Sequence, residues 1–127
     1  MVPNASAPTI INVLIPSGSA VSATVHLEGL IPYFIEVPAN WSGPGISLQT
    51  ARPGNVPANL YDSSGNEVML MVTGGPGTNI TIDQQRNELG SLRSASDVVL
   101  RAGSAEAPVD QGSNVTLVLH CSTNLGA

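Results

Sequence analysis

The chain reads as an all-β protein, an antiparallel β-sandwich of jelly-roll or Greek-key type with about eight short strands and at most one short helix. Three observations lead there. Apolar-alternating runs are cut by Gly, Pro, Asn and Ser roughly every eight to twelve residues, with 13 Gly and 10 Pro among 127 residues. Within the runs, apolar and polar side chains alternate with the two-residue period of a strand that has one face buried. Only one segment keeps helical character. A chain of this length makes one domain and can bury a core without disulfide or metal staples. Residues 1–8 are expected to form an extended N-terminal arm, because Pro3 and Pro8 deny helix there. Residues 9–127 are expected to form the single sandwich domain.

The first strand is expected over Thr9 to Ile15, ended by Pro16-Ser17-Gly18. Its faces, Ile11/Val13/Ile15 and Ile10/Asn12/Leu14, are both largely apolar. A second strand is predicted over Ala20 to Glu28, with Val21, Ala23, Val25 and Leu27 on the core side and Ser22, Thr24, His26 and Glu28 in water. Gly29 to Pro32 turns the chain into Tyr33 to Val37, and Pro38 to Gly45 reads as a structured loop around Trp41. Ile46 to Thr50 is the next strand. Leu60-Tyr61 and Glu67 to Thr73 flank Asp62-Ser63-Ser64-Gly65-Asn66, which predicts a hairpin with Gly65 in a left-handed conformation. Thr78 to Ile82 follows as a strand, and Asp83 to Leu92 is the one plausible helix, limited to a turn or two by Gly90. Asp97 to Ala102 and Asn114 to Cys121 are the last strands, joined by the loop Gly103 to Gly112.

Composition narrows the function classes. Aromatic residues are 3% of the chain, namely Tyr33, Phe34, Trp41 and Tyr61, so the core must be aliphatic. Charged residues are 10%, well below the roughly 25% of an ordinary soluble domain. Such low charge suits a protein whose surface is partly covered by neighbours. There is no Lys, and the Arg residues are Arg52, Arg86, Arg93 and Arg101. At a net charge of −5 no basic stripe exists to neutralise phosphates, so nucleic acid is not an expected partner. No apolar run is long enough to span a bilayer, so no membrane partner is expected, and the N-terminus lacks the pattern of a signal peptide. Synthesis and retention in a cytoplasm are the expectation.

The inventory for catalysis is thin. His26 and His120 are the histidines, on the polar faces of their strands and without a second histidine at metal-ligand spacing. The lone Cys121 falls on the face of Val115, Leu117 and Leu119 and is expected as a buried free thiol. The carboxylates mostly fall at turns and strand ends, where they bond local backbone rather than form a glycosidase pair. No nucleophile elbow or phosphate-cradling Gly-rich loop is present. No enzyme, no cofactor and no metal is expected.

Surplus apolar surface is the more informative feature. In Glu67 to Thr73, Val68, Leu70 and Val72 share one face, which leaves Met69 and Met71 on the other. A sandwich strand needs only one apolar face, so a loop, the arm or another subunit must cover the second. The first strand poses the same question through Ile10 and Leu14. With Trp41 in its loop and Arg101, which breaks the apolar alternation of its strand, these are the candidate interface residues: Ile10, Leu14, Met69, Met71, Trp41 and Arg101.

Three ordered segments carry a resemblance. They are Val37-Pro38-Ala39-Asn40-Trp41-Ser42 with the strand Ile46-Ser47-Leu48-Gln49; Leu60-Tyr61-Asp62-Ser63-Ser64-Gly65-Asn66-Glu67-Val68; and Val99-Leu100-Arg101-Ala102-Gly103-Ser104-Ala105-Glu106-Ala107-Pro108-Val109-Asp110-Gln111-Gly112, closed by Val115-Thr116-Leu117-Val118-Leu119. Together they resemble small β-sandwich proteins among the structural genes of tailed bacteriophages, similar to capsid decoration (cement) proteins. The likeness covers about two thirds of the chain, from Val37 onward. It implies a structural virion protein on the outer surface of the capsid, made in the host cytoplasm, that bridges neighbouring subunits of the major capsid protein as a homo-dimer or homo-trimer. It also implies that Arg101 anchors the loop that follows it by hydrogen bonds. The alternative function is a carbohydrate-binding or tail- or fibre-associated module that stacks sugars on Trp41 and Tyr61.

Overall fold

Side-chain alternation decides which way each strand faces, and in β1 (Thr9–Ile15) it sends Val13 and Ile15 inward and Ile10, Asn12 and Leu14 outward. The computed structural model describes residues 9–27, 30–51, 57–61, 64–72, 77–81 and 97–122. Over these it shows β2 (Val25–His26), β3 (Ile31–Glu36), β4 (Gly45–Ala51), β5 (Ala58–Asn59), β6 (Met69–Met71), β7 (Asn79–Thr81), β8 (Asp97–Ala102) and β9 (Val115–Ser122). The strands form two antiparallel sheets, ordered β1-β9-β3-β7 and β2-β8-β4-β5, with β6 also on β4. No helix occurs among the described residues. The protein is an all-β sandwich. The N-terminal arm and the predicted helix over Asp83 to Leu92 lie outside the described residues.

Chain order explains the pairing. β5 and β6 lie along the same side of β4, Ala58 and Asn59 opposite Thr50 and Gln49, then Met69, Leu70 and Met71 opposite Ser47, Ile46 and Gly45. They are two halves of one edge strand, and the described residues between them, 60–61 and 64–68, form the arms of a hairpin. The Leu60 amide donates to the Leu48 carbonyl, the Val68 amide to the Leu60 carbonyl, and Tyr61 bridges Glu67. Gly65 turns the tip with φ +86°, a conformation a Cβ disfavours. With β5 and β6 counted together, the first strand pairs with the last, the second with the next to last, and so inward: β1·β9, β2·β8, β3·β7, β4·β5–β6.

The core between the sheets is aliphatic, as composition required. Val13, Ile15, Ile35, Leu117 and Leu119 of one sheet meet Ile46, Leu48, Leu70, Val98 and Leu100 of the other. They close to a residual gap of ≈ 10 Å³ lined from both sides by Ile35, Leu119, Leu48 and Leu100. That is the close packing of a side-chain interior, and it makes the slab stiff.

The second strand departs from expectation. Instead of alternating from Ala20 to Glu28, the chain pairs only at Val25–His26 with a bridge at Val21, and Val21, Ala23 and Thr24 are exposed while Ser22 is buried. The cause is Ser22. Its amide donates to the Leu100 carbonyl, while its hydroxyl accepts from the Leu100 amide and donates to the Ala23 carbonyl. A hydroxyl that takes over a ladder bond lets the backbone leave the sheet, and the inward–outward phase slips before Val25 and Leu27 re-enter the core.

Candidate interaction surface

The outer face of the first sheet carries the exposed apolar row expected from β1. Ile10 is 48% exposed and Leu14 47%. Register places Ile10 opposite His120, and His120 opposite Phe34 on the far side of β9. A register shift between Pro32 and Phe34 leaves Tyr33 as an extra residue. Consecutive residues normally face opposite sides, and a bulge relaxes that rule. Here Phe34 stands edge-on to the His120 ring at 5.0 Å, and Tyr33 lies at 6.4 Å. His120 Nε2 donates to a Glu36 carboxylate oxygen at 2.6 Å. The result, among the described residues, is an apolar and aromatic strip in which the Glu36 carboxylate is hydrogen-bonded to its neighbour His120.

Arg101 is not on the surface. It points from β8 onto the outer face of the second sheet, yet is only 6% exposed. Its Nε donates to Ser47 Oγ at 2.8 Å, one terminal nitrogen to Asn59 Oδ1 at 2.9 Å and the other to Glu67 Oε2 at 2.7 Å. Glu67 also accepts from the Ala105 amide at 2.9 Å. The guanidinium thus ties β4, β5 and the base of the hairpin together, and through Glu67 it holds the loop that follows β8. Its interface role is replaced by an internal one, because a fork of donors this far from water must be fully paired. Nearby, Gly103 has φ +83°, and a Cβ there would run into the Ala107 carbonyl oxygen.

Trp41 is likewise internal, at 3% exposure, with its indole N–H donating to the Gly43 carbonyl. Its ring fills the end of the core, so it offers no face to a sugar or a neighbour. Met69 is half-buried and Met71 is 49% exposed. Both thioethers lean over Gly45, in the space a Cβ there would occupy. Val68, Leu70 and Val72 are buried as the alternation required. Tyr61, 52% exposed, stands on the projecting hairpin.

Gln111 is the structural residue that sequence reasoning missed. It is buried, its Oε1 accepts from the Ser42 amide, and its Nε2 donates to the Ser42 and Val109 carbonyls. Its backbone bonds Gly18 and Ser19. Side chain and backbone of this one residue therefore tie three loops together. A polar residue in a Gly-flanked loop carries no periodicity, so nothing in the pattern marks it as buried.

Each histidine pairs with a carboxylate across strands, His26 Nδ1 donating to Asp97 at 2.8 Å and His120 to Glu36. Asp97 is buried and His26 exposed. Cys121 is a buried free thiol whose pKa burial pushes up to about 11, so it is a poor nucleophile at neutral pH. Among the described residues no group of three or more His, Cys, Asp or Glu is placed to hold a metal ion. Among the described residues no helix long and apolar enough to cross a membrane occurs. No protein-family model, curated protein or solved structure matches the chain.

Proposed function

We propose that the protein is a structural virion component that decorates the outside of a tailed-phage capsid and stabilises it by bridging neighbouring major capsid subunits. It acts as a surface and not as an enzyme, binds no cofactor, nucleic acid or membrane, and belongs to the jelly-roll class of sandwich, a reading that the nested strand pairing supports. The observation that carries the proposal is the pairing of a tightly packed slab with a charge-poor exterior on which Ile10, Leu14 and Met71 stand in water. Clamping subunits needs buried area and stiffness but no chemistry. A preformed slab loses little entropy on docking, and modest contacts repeated over a symmetric shell add through multivalency. The ordered sequence resemblance supports the same reading.

The sugar-binding alternative is weakened, since Trp41 is spent on the core and Tyr61 is left without a second exposed aromatic among the described residues. The test is direct. Purified protein is mixed with empty, expanded capsids built from the major capsid protein of its own virus. Co-sedimentation and a higher capsid melting temperature are expected. Absence of both overturns the proposal.

A further inference from the structure

The long free edge of the first sheet raises the question of what lies beside it. Among the described residues β1 pairs on one side only, with β9. Among the described strands the other sheet edges are guarded in the usual ways. β7 has three residues and β2 has two, and the β5–β6 edge is broken by its hairpin. β1 has none of these devices. It runs seven residues as Thr-Ile-Ile-Asn-Val-Leu-Ile without a charge, a proline or a bulge.

We infer that β1 is a homodimerisation edge, pairing antiparallel with β1 of a second copy about a two-fold axis at Asn12. The occupant follows from the strand's own symmetry. Asn12 is its central residue. Two-fold pairing there sets Ile10 opposite the second copy's Leu14 on the exposed face, and Ile11 opposite Val13 on the core face. Asn12 meets its own copy, and a side-chain amide both donates and accepts, so it is its own complement. Inward–outward phase is kept at every position, which a one-residue slip destroys. No like charges meet along the edge, although each chain carries −5 overall.

Size sets the strength. Seven residues at ~3.4 Å each give an edge of about 24 Å, and two sheets packed ~10 Å apart make a flank about 20 Å deep. The two copies together bury roughly 1,000 Å², at the lower limit for a specific interface. An open groove of ≈ 290 Å³ lies along this flank, lined by Asn12, Leu14 and Pro16 and by the small Ala23 and Thr24 beside β2. Small, uncharged lining lets the second sheets approach as well. The pairing is isologous, so it uses up both long edges and closes at two copies. An interface this small is expected to dissociate reversibly on dilution.

Analytical ultracentrifugation of the full chain over a concentration series reads the equilibrium. Asn12→Lys, which sets two ammonium groups opposite each other at an exposed site, should weaken dimerisation at least tenfold while far-UV circular dichroism and melting of the monomer stay unchanged. In parallel, Asn12→Cys and Asn79→Cys, on opposite edges of the same sheet, are treated with a short bismaleimide at pH 7, where Cys121 stays silent. Crosslinked dimer from position 12 and none from position 79 is expected. A monomer at every concentration, a trimer, crosslinking at 79 instead of 12, or an Asn12→Lys dimer of unchanged affinity overturns the inference. The dimer needs no capsid, so a monomer that binds capsids sinks this inference alone, and a dimer that ignores them sinks only the decoration reading.

Discussion

On one flank of the sandwich the edge strand of the second sheet stops after Asn59, throws out a hairpin, and resumes at Met69 under a buried guanidinium. On the other flank β1 runs its seven residues unbroken, with Ile10 and Leu14 half in water. The first flank satisfies itself. Arg101 collects Ser47, Asn59 and Glu67, and Glu67 collects the Ala105 amide, so the broken edge is closed by side chains from within the same chain. Along β1 itself no side-chain hydrogen bond of this kind occurs among the described residues. An edge that carries its own locks reads as finished, and one without them as waiting for another strand.

The largest effect is expected on the locked flank. Arg101→Leu leaves the Glu67 carboxylate, largely shielded from water, without its cation, and should cost about 3–5 kcal/mol in denaturant-induced unfolding. Adding Glu67→Gln in that background should recover part of the loss, because it removes the uncompensated charge. If Arg101→Leu unfolds like the parent, the hairpin flank is not locked by this network and the contrast between the flanks disappears.

An intermediate effect is expected beneath the open flank, where Cys121 of β9 pairs with Thr9 of β1 and faces the core. Burial raises the thiol from an ordinary 9.0 to about 11. Below pH 9 it is protonated in both folded and unfolded chains, and its contribution is intact. Above that pH the unfolded chain ionises first, so stability falls as pH rises toward 11, by up to about 2–3 kcal/mol. Denaturation midpoints measured from pH 8 to 11 should show this fall, and Cys121→Val should flatten it.

The smallest effect sharpens the comparison most. Leu14→Lys changes an exposed side chain on a strand already paired with β9, and it should leave monomer stability within about 0.5 kcal/mol while abolishing the concentration dependence of the sedimentation coefficient. A large loss of monomer stability would mean that β1 is internally locked after all.

Much of this was legible in the chain. β1 and β8 have the predicted limits, Gly65 turns the predicted hairpin, and Cys121, Val68, Leu70 and Val72 are buried as their alternation required. These follow from local rules: period-two patterning, turn chemistry and the avoidance of water by aliphatic groups. The expectation that Arg101 anchors the following loop also holds, although it acts through Glu67. What local rules missed are residues whose fate depends on distant partners. Ser22 breaks its strand because Leu100 lies opposite, Gln111 is buried because three loops converge on it, and Trp41 is core because the end of the sandwich needs filling.

By itself, then, the amino-acid order determined that the polypeptide forms short amphipathic strands around an aliphatic interior, because each side chain's preference for water or oil is written at its own position. Only the tertiary structure decided which polar groups could go inside and which sheet edge stayed open. Those outcomes depend on hydrogen-bond partners brought together from far along the chain, and no single residue carries that information.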